Sequence, residues 1–183
     1  MVNQTSSVLK KAVIIFLCGF LGSLIIGLIF LGIRIIITTD PAFQFISYGI
    51  SGSVIFALLN YSSKRNFILG TLFFLALEMV LIKIHSELIF ARIAYFLVIV
   101  FSIYLYHTFF YKSTPQLKYI RIFALAGIVA IINVLLSAIG GLVMEAENLK
   151  AIIEGQSFFG LLIGLGLGVG IETGDLINNI RKE

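Results

Sequence analysis

A chain of 183 residues that is 60% hydrophobic and only 12% charged lies far outside soluble domains, in which about 25% of residues are charged. Its mean hydropathy of +1.10 suits an all-α polytopic membrane protein, with length for six bilayer spans of about 20 residues and none left for a separate soluble domain. The net charge of +4 comes from basic residues scattered singly or in pairs between apolar segments, which argues against nucleic acid and makes membrane lipids their expected neighbours.

Residues 1–11 form a polar lead closed by Lys10 and Lys11, and the apolar run after them is too long for a signal-peptide core. It is read as helix 1, residues 12–37. Gly19, Ser23 and Gly27 recur along it every four residues, a small-residue ridge suited to close helix contact. Its single cysteine, Cys18, permits no intrachain disulfide and no cysteine-based metal site. Arg34 marks the far end, and residues 38–41 read as a turn. Helix 2 spans 42–63, with small residues crowded into its first half, and Lys64-Arg65-Asn66 is expected to end it. Helix 3, residues 67–84, carries Glu78 inside an apolar run, where an ionised carboxylate is costly.

Lys83, His85, Glu87 and Arg92 cluster at the next junction. Helix 4, residues 88–111, ends in Tyr104, Tyr106, His107, Phe109, Phe110 and Tyr111, which together read as an interfacial aromatic belt. Helix 5, residues 119–144, has Ala126, Ala130, Asn133 and Ser137 on one face. An acidic connection with Glu145, Glu147, Lys150 and Glu154 leads to helix 6, residues 155–178.

Helix 6 is the densest stretch, with six glycines and two carboxylates between Phe158 and Asn179. Wound at about 100° per residue, Gly160, Gly164 and Gly168 make one bare ridge and Gly166, Gly170 and Gly174 a second. Glycine in an exposed helix costs about 1 kcal/mol relative to alanine, so both ridges predict close backbone contact, with other membrane subunits, with a second copy or within the chain. Unwinding at these glycines is the other use they allow. Glu172 and Asp175 fall on the first ridge's side. As like charges three residues apart they repel, so Glu172 needs a partner, with Lys112, Arg121 and Arg181 at suitable depth, whereas Asp175 reads as a head-group residue.

Nine basic residues gather on one side of the six expected spans and four on the other, so the positive-inside rule puts both termini in the cytoplasm. The expected location is the cytoplasmic (inner) membrane, multi-pass. On that topology Arg34, Glu78, His85, Arg92 and Glu145 lie in the outer half, and with Asn133 and Glu172 they are the candidates for a small-molecule or ion pocket. Matching the two halves as inverted repeats pairs Glu78 with Glu172 and Gly70 with Gly164.

Gly49-Ile50-Ser51-Gly52 resembles the GxSG motif of rhomboid intramembrane proteases, which also have a six-helix core. However, His85 and His107 sit at helix ends, and a serine without a base is a weak nucleophile. Glu172-Thr173-Gly174-Asp175 matches the Gly-x-Gly-Asp motif of intramembrane aspartyl proteases only in its last two residues. No GxGxxG spacing, haem-ligand pair or metal-ligand set stands out, so neither cofactor nor metal is expected. In size and helix count the chain resembles the substrate-capturing membrane subunits of energy-coupling-factor vitamin transporters. That resemblance implies an outward-facing pocket and docking on a coupling partner through Gly19, Ser23 and Gly27. The expected function is small-solute transport or solute binding. The alternative is a non-catalytic accessory subunit of a larger membrane complex, and an intramembrane enzyme comes third.

Overall fold

The computed structural model describes residues 2–31, 39–85, 89–112, 117–143 and 148–180. They form six α-helices and no strand: α1 Val2–Leu31, α2 Thr39–Tyr61, α3 Lys64–His85, α4 Ile89–Tyr106, α5 Lys118–Val143 and α6 Leu149–Ile180. A π-helical turn, His107–Tyr111, continues α4.

Several helix ends differ from expectation, because polarity marks where an apolar environment stops rather than where a helix stops. The polar lead is helical from Val2. Half of the acidic connection is the first turn and a half of α6, where Lys150 and Glu154 pair one turn apart at 3.9 Å. Pro41 falls in the first turn of α2 rather than in a loop, a place where its missing N–H costs nothing. Residues 64–66 open α3 instead of closing α2. The two-residue link explains this: Ser62 Oγ and N donate to the Leu58 carbonyl at 2.6 and 3.0 Å, and Ser63 Oγ caps the Asn66 N–H at 3.3 Å.

Helices α1, α6, α5, α4 and α2 close into a ring, in that order, and α3 lies outside it against α2 and α4. Phe56, Ile103, Leu125, Leu167 and Ile171 fill the centre. The tightest joins are those of α6. Its first glycine ridge faces α5: a Cβ at Gly160 would lie 2.7 Å from the Ala130 Cα, one at Gly164 2.5 Å from the Ala126 Cα, and one at Gly168 3.1 Å from the Ile122 Cα. The second ridge faces α1, where Cβ atoms at Gly166 and Gly174 would come 2.7 and 3.1 Å from the Cα atoms of Ser23 and Ile15. Gly170 meets Cys18 and Gly19 in the same seam. With neighbouring backbone on both sides, α6 runs unbroken through its glycines.

Polarity is distributed inside out. Ser23, Ser51, Ser53, Ser102, Arg121, Asn133, Glu172 and Asn178 are buried, while Leu17, Leu21 and Ile25 of α1, Leu72 and Phe73 of α3 and Ile131 and Leu135 of α5 are exposed. Stretches long and apolar enough to cross a membrane run through α1 (Ser7–Phe30), α5 (Lys118–Ile139) and α6 (Leu149–Asn179), with a shorter apolar one at Phe96–Tyr111. An apolar exterior of this extent over three such helices points to a membrane protein.

Candidate functional site

The antiparallel register of α5 and α6 builds the site. Pairing Gly160 with Ala130, Gly164 with Ala126 and Gly168 with Ile122 carries the next residue of the ridge, Glu172, to the first turn of α5. There it meets Arg121. The Arg121 guanidinium donates through Nη2 to Glu172 Oε2, and both side chains are nearly sealed, at 3% and 5% exposure. From α4, Tyr106 Oη donates to the other carboxylate oxygen at 2.8 Å. Both oxygens of Glu172 are thus engaged, each from a different helix.

The π turn supplies the rest. Tyr111 Oη donates to Asp175 Oδ1 at 3.1 Å, and the Tyr111 carbonyl accepts from Arg121 Nη1 at 3.3 Å. The guanidinium also sits over the Tyr111 ring, 4.9 Å from its centroid. His107 stacks on the same ring at 5.8 Å, and Phe56 of α2 meets both rings edge-on. Two buried nitrogens in this cluster, Arg121 Nε, a donor, and His107 Nε2, have no protein partner among the described residues.

Asp175, expected among head groups with no need of a partner, is half-buried and held by Tyr111. The aromatic belt at the end of α4 also needs correction: Tyr104 and Phe109 are exposed, but Tyr106 and His107 are buried and Tyr111 half-buried. An ideal α-helix sets residues 106 and 111 about 140° apart. Hydrogen bonding from i to i+5 brings them onto one side, and no spacing rule in the sequence announces that widening.

Asn133 bridges α5 to α6, donating through Nδ2 to the carbonyl and Oε1 of Gln156, both at 3.0 Å. Arg34 and Glu145 lie outside the described residues. Glu78 and His85 fall on α3 and Arg92 on α4, with side chains outside what the structure describes. Gly19, Ser23 and Gly27 are all buried. Gly19 faces Ser53, and Ser23 faces Gly49 and Gly166, so α2 and α6 of this chain occupy much of the ridge that the transporter resemblance reserves for a partner. Ser51 is 2% exposed. Gly70 abuts only the Leu58 side chain, whereas Gly164 abuts backbone, so the two glycines matched by the inverted-repeat pairing do different jobs.

No family model, curated protein or solved structure matches this chain. Its chemistry is therefore read from the cluster itself. A guanidinium and a carboxylate neutralise one another, a tyrosine hydroxyl completes the carboxylate, and two unpartnered nitrogens flank one aromatic ring. That arrangement can hold three helices together, and it can exchange one charged or polar partner for another.

Proposed function

We propose that the chain is a bundle of six membrane spans with both termini in the cytoplasm. On this reading it carries a small solute across the cytoplasmic membrane, or captures the solute for a partner subunit, without catalysing a reaction. The solute pocket occupies the outer half, and the Arg121–Glu172 pair closes the inner half. The observation that carries this reading is the buried pair with two unpartnered nitrogens beside it. Ionisable groups inside a span face the bundle interior and mark solute or ion paths. A clamp that served only stability would gain nothing from leaving Arg121 Nε and His107 Nε2 unsatisfied, since each buried polar group without a partner costs about 1–3 kcal/mol. A polar solute or water crossing at this junction would meet both.

One observation favours the second reading, an accessory subunit of a larger assembly: the chain presents an open groove on α1 and α2 that a partner could cover. Proteoliposomes challenged with labelled vitamins, amino acids and inorganic ions separate the two. Transport predicts uptake of at least one solute above empty vesicles, abolished by Glu172→Gln in protein that remains folded and inserted. If no solute is taken up and none co-purifies by mass spectrometry, the accessory reading stands instead. Uptake that survives Glu172→Gln would remove the pair from the pathway.

A further inference from the structure

Helices α1 and α2 are antiparallel, as Gly19 against Ser53 and Ser23 against Gly49 establish. Extending that register sets Lys11 level with Tyr61. Beyond the small-residue contact the helices part, leaving an open groove of about 920 Å³ whose lining includes Ser7, Lys11, Phe16, Ala57, Tyr61 and Ser62. Its polarity is graded. The polar lining residues, Ser7, Lys11, Tyr61 and Ser62, all stand at one end, beside Val8 and Leu9, while the rest of the lining, from Ala12 to Phe16 and from Val54 to Leu58, is apolar. The polar end coincides with the start of the apolar span at Ser7. From Ser7 to Phe16 the groove follows α1 for roughly 14 Å, close to the ~15 Å depth of one hydrocarbon leaflet.

Charge at the polar end is positive. Lys10 precedes Lys11, and Lys64 and Arg65 follow Ser62 after one residue. The ion pairs among the described residues, Arg121–Glu172 and Lys150–Glu154, use none of these four cations. Asp175, the acid at this end of α6, accepts from Tyr111 and does not line the groove, although its charge reaches the Tyr61 hydroxyl; Asn178 of α6 bonds that hydroxyl and donates to the Lys11 carbonyl at 3.2 Å. We propose that the groove is a binding site for one anionic phospholipid, its phosphate at Lys11 beside Ser7, Tyr61 and Ser62 and an acyl chain laid between α1 and α2. Charge selects the occupant: a neutral apolar helix would leave Lys11 unmatched, whereas a phosphodiester meets the lysine and the hydroxyls of Ser7 and Tyr61 at the depth where lipid head groups lie, the Ser62 hydroxyl being spent on the Leu58 carbonyl. The site adjoins the Arg121–Glu172 cluster at Tyr61, which lies within electrostatic reach of Asp175 and Tyr111, but Arg121, Glu172, Tyr111 and Asp175 do not line it.

The test uses the full chain, purified in mild detergent, stripped of lipid and offered equal amounts of phosphatidylglycerol and phosphatidylcholine with matched acyl chains. Native mass spectrometry reads the retained lipid, and circular dichroism confirms that each variant is folded. Phosphatidylglycerol should be retained about fivefold over phosphatidylcholine, the worth of about one lysine near a lipid phosphate. Lys11→Gln should bring the ratio close to one and Lys11→Arg should preserve it. Val13→Trp, which fills the groove, should lose both lipids, while Leu21→Trp on the exposed face of the same helix should lose neither. Equal retention of the two lipids, a ratio indifferent to Lys11→Gln, or lipid retained by Val13→Trp as well as by Leu21→Trp would each overturn the proposal. So would a lipid-free dimer that Val13→Trp dissociates, which would give the groove to a second copy.

Discussion

Arg121 and Glu172 are each a liability without the other. Removing one partner of a sealed ion pair strands a buried charge at a cost of about 3–5 kcal/mol, whereas replacing both with apolar residues is often close to neutral. Arg121→Leu and Glu172→Leu should therefore each lower stability in detergent by about that much, and the double variant should be more stable than either. Denaturant midpoints for the four proteins of this cycle decide it. A double variant as unstable as the sum of the singles would mean that the two side chains act independently. Tyr106→Phe, which frees one carboxylate oxygen, should cost about 1–3 kcal/mol. Much of this cluster is legible in the sequence. Glu172 announces a need for a partner by its place in an apolar helix, and Arg121 is one of three cations at suitable depth. Tyr106 and Tyr111 are not legible, because their convergence depends on the π turn rather than on ordinary helical spacing.

Along α6, the bare ridges convert sequence spacing directly into helix order. Every fourth residue is a glycine on the face toward α5, and the neighbouring backbone lies where a side chain would begin. Gly164→Leu and Gly168→Leu should therefore drive α6 from α5 and lower the thermal unfolding midpoint in detergent well beyond the effect of Leu165→Ala. Gly127→Ala should be tolerated, since a Cβ there would meet nothing within 4 Å. Equal effects of all four substitutions would show that the seam is looser than the backbone distances imply. The spacing announces two ridges, but not which neighbour takes which, because Ala126 and Ala130 on α5 and Gly19 and Ser23 on α1 offer equally small partners. Helix ends are less legible for a different reason: lysines and acids mark the water boundary, and α1 and α6 continue helically beyond it.

The ring joins the chain's first helix to its last, and the six-span reading adds a direction to it. With both termini cytoplasmic, a cysteine at Ser62 in a Cys18→Ser background should resist a membrane-impermeant maleimide added from outside and react once the membrane is opened. Reaction in sealed cells would reverse the orientation drawn from the basic residues. The helix count follows from hydrophobic runs, and the proposed sidedness rests on charge alone, whereas the placing of α3 outside the ring follows from packing that periodicity does not encode. One seam also sets a timetable for biosynthesis. Gly22 and Ser23 meet their partners at Gly166 and Gly170 only after about 145 further residues have been synthesised, roughly 7–30 s later at translation rates of about 5–20 residues per second. Throughout that interval the small-residue face of α1 toward α6 stands open in the bilayer to any passing helix. A ribosome that stalls before α6 releases a protein whose first helix is still unsealed.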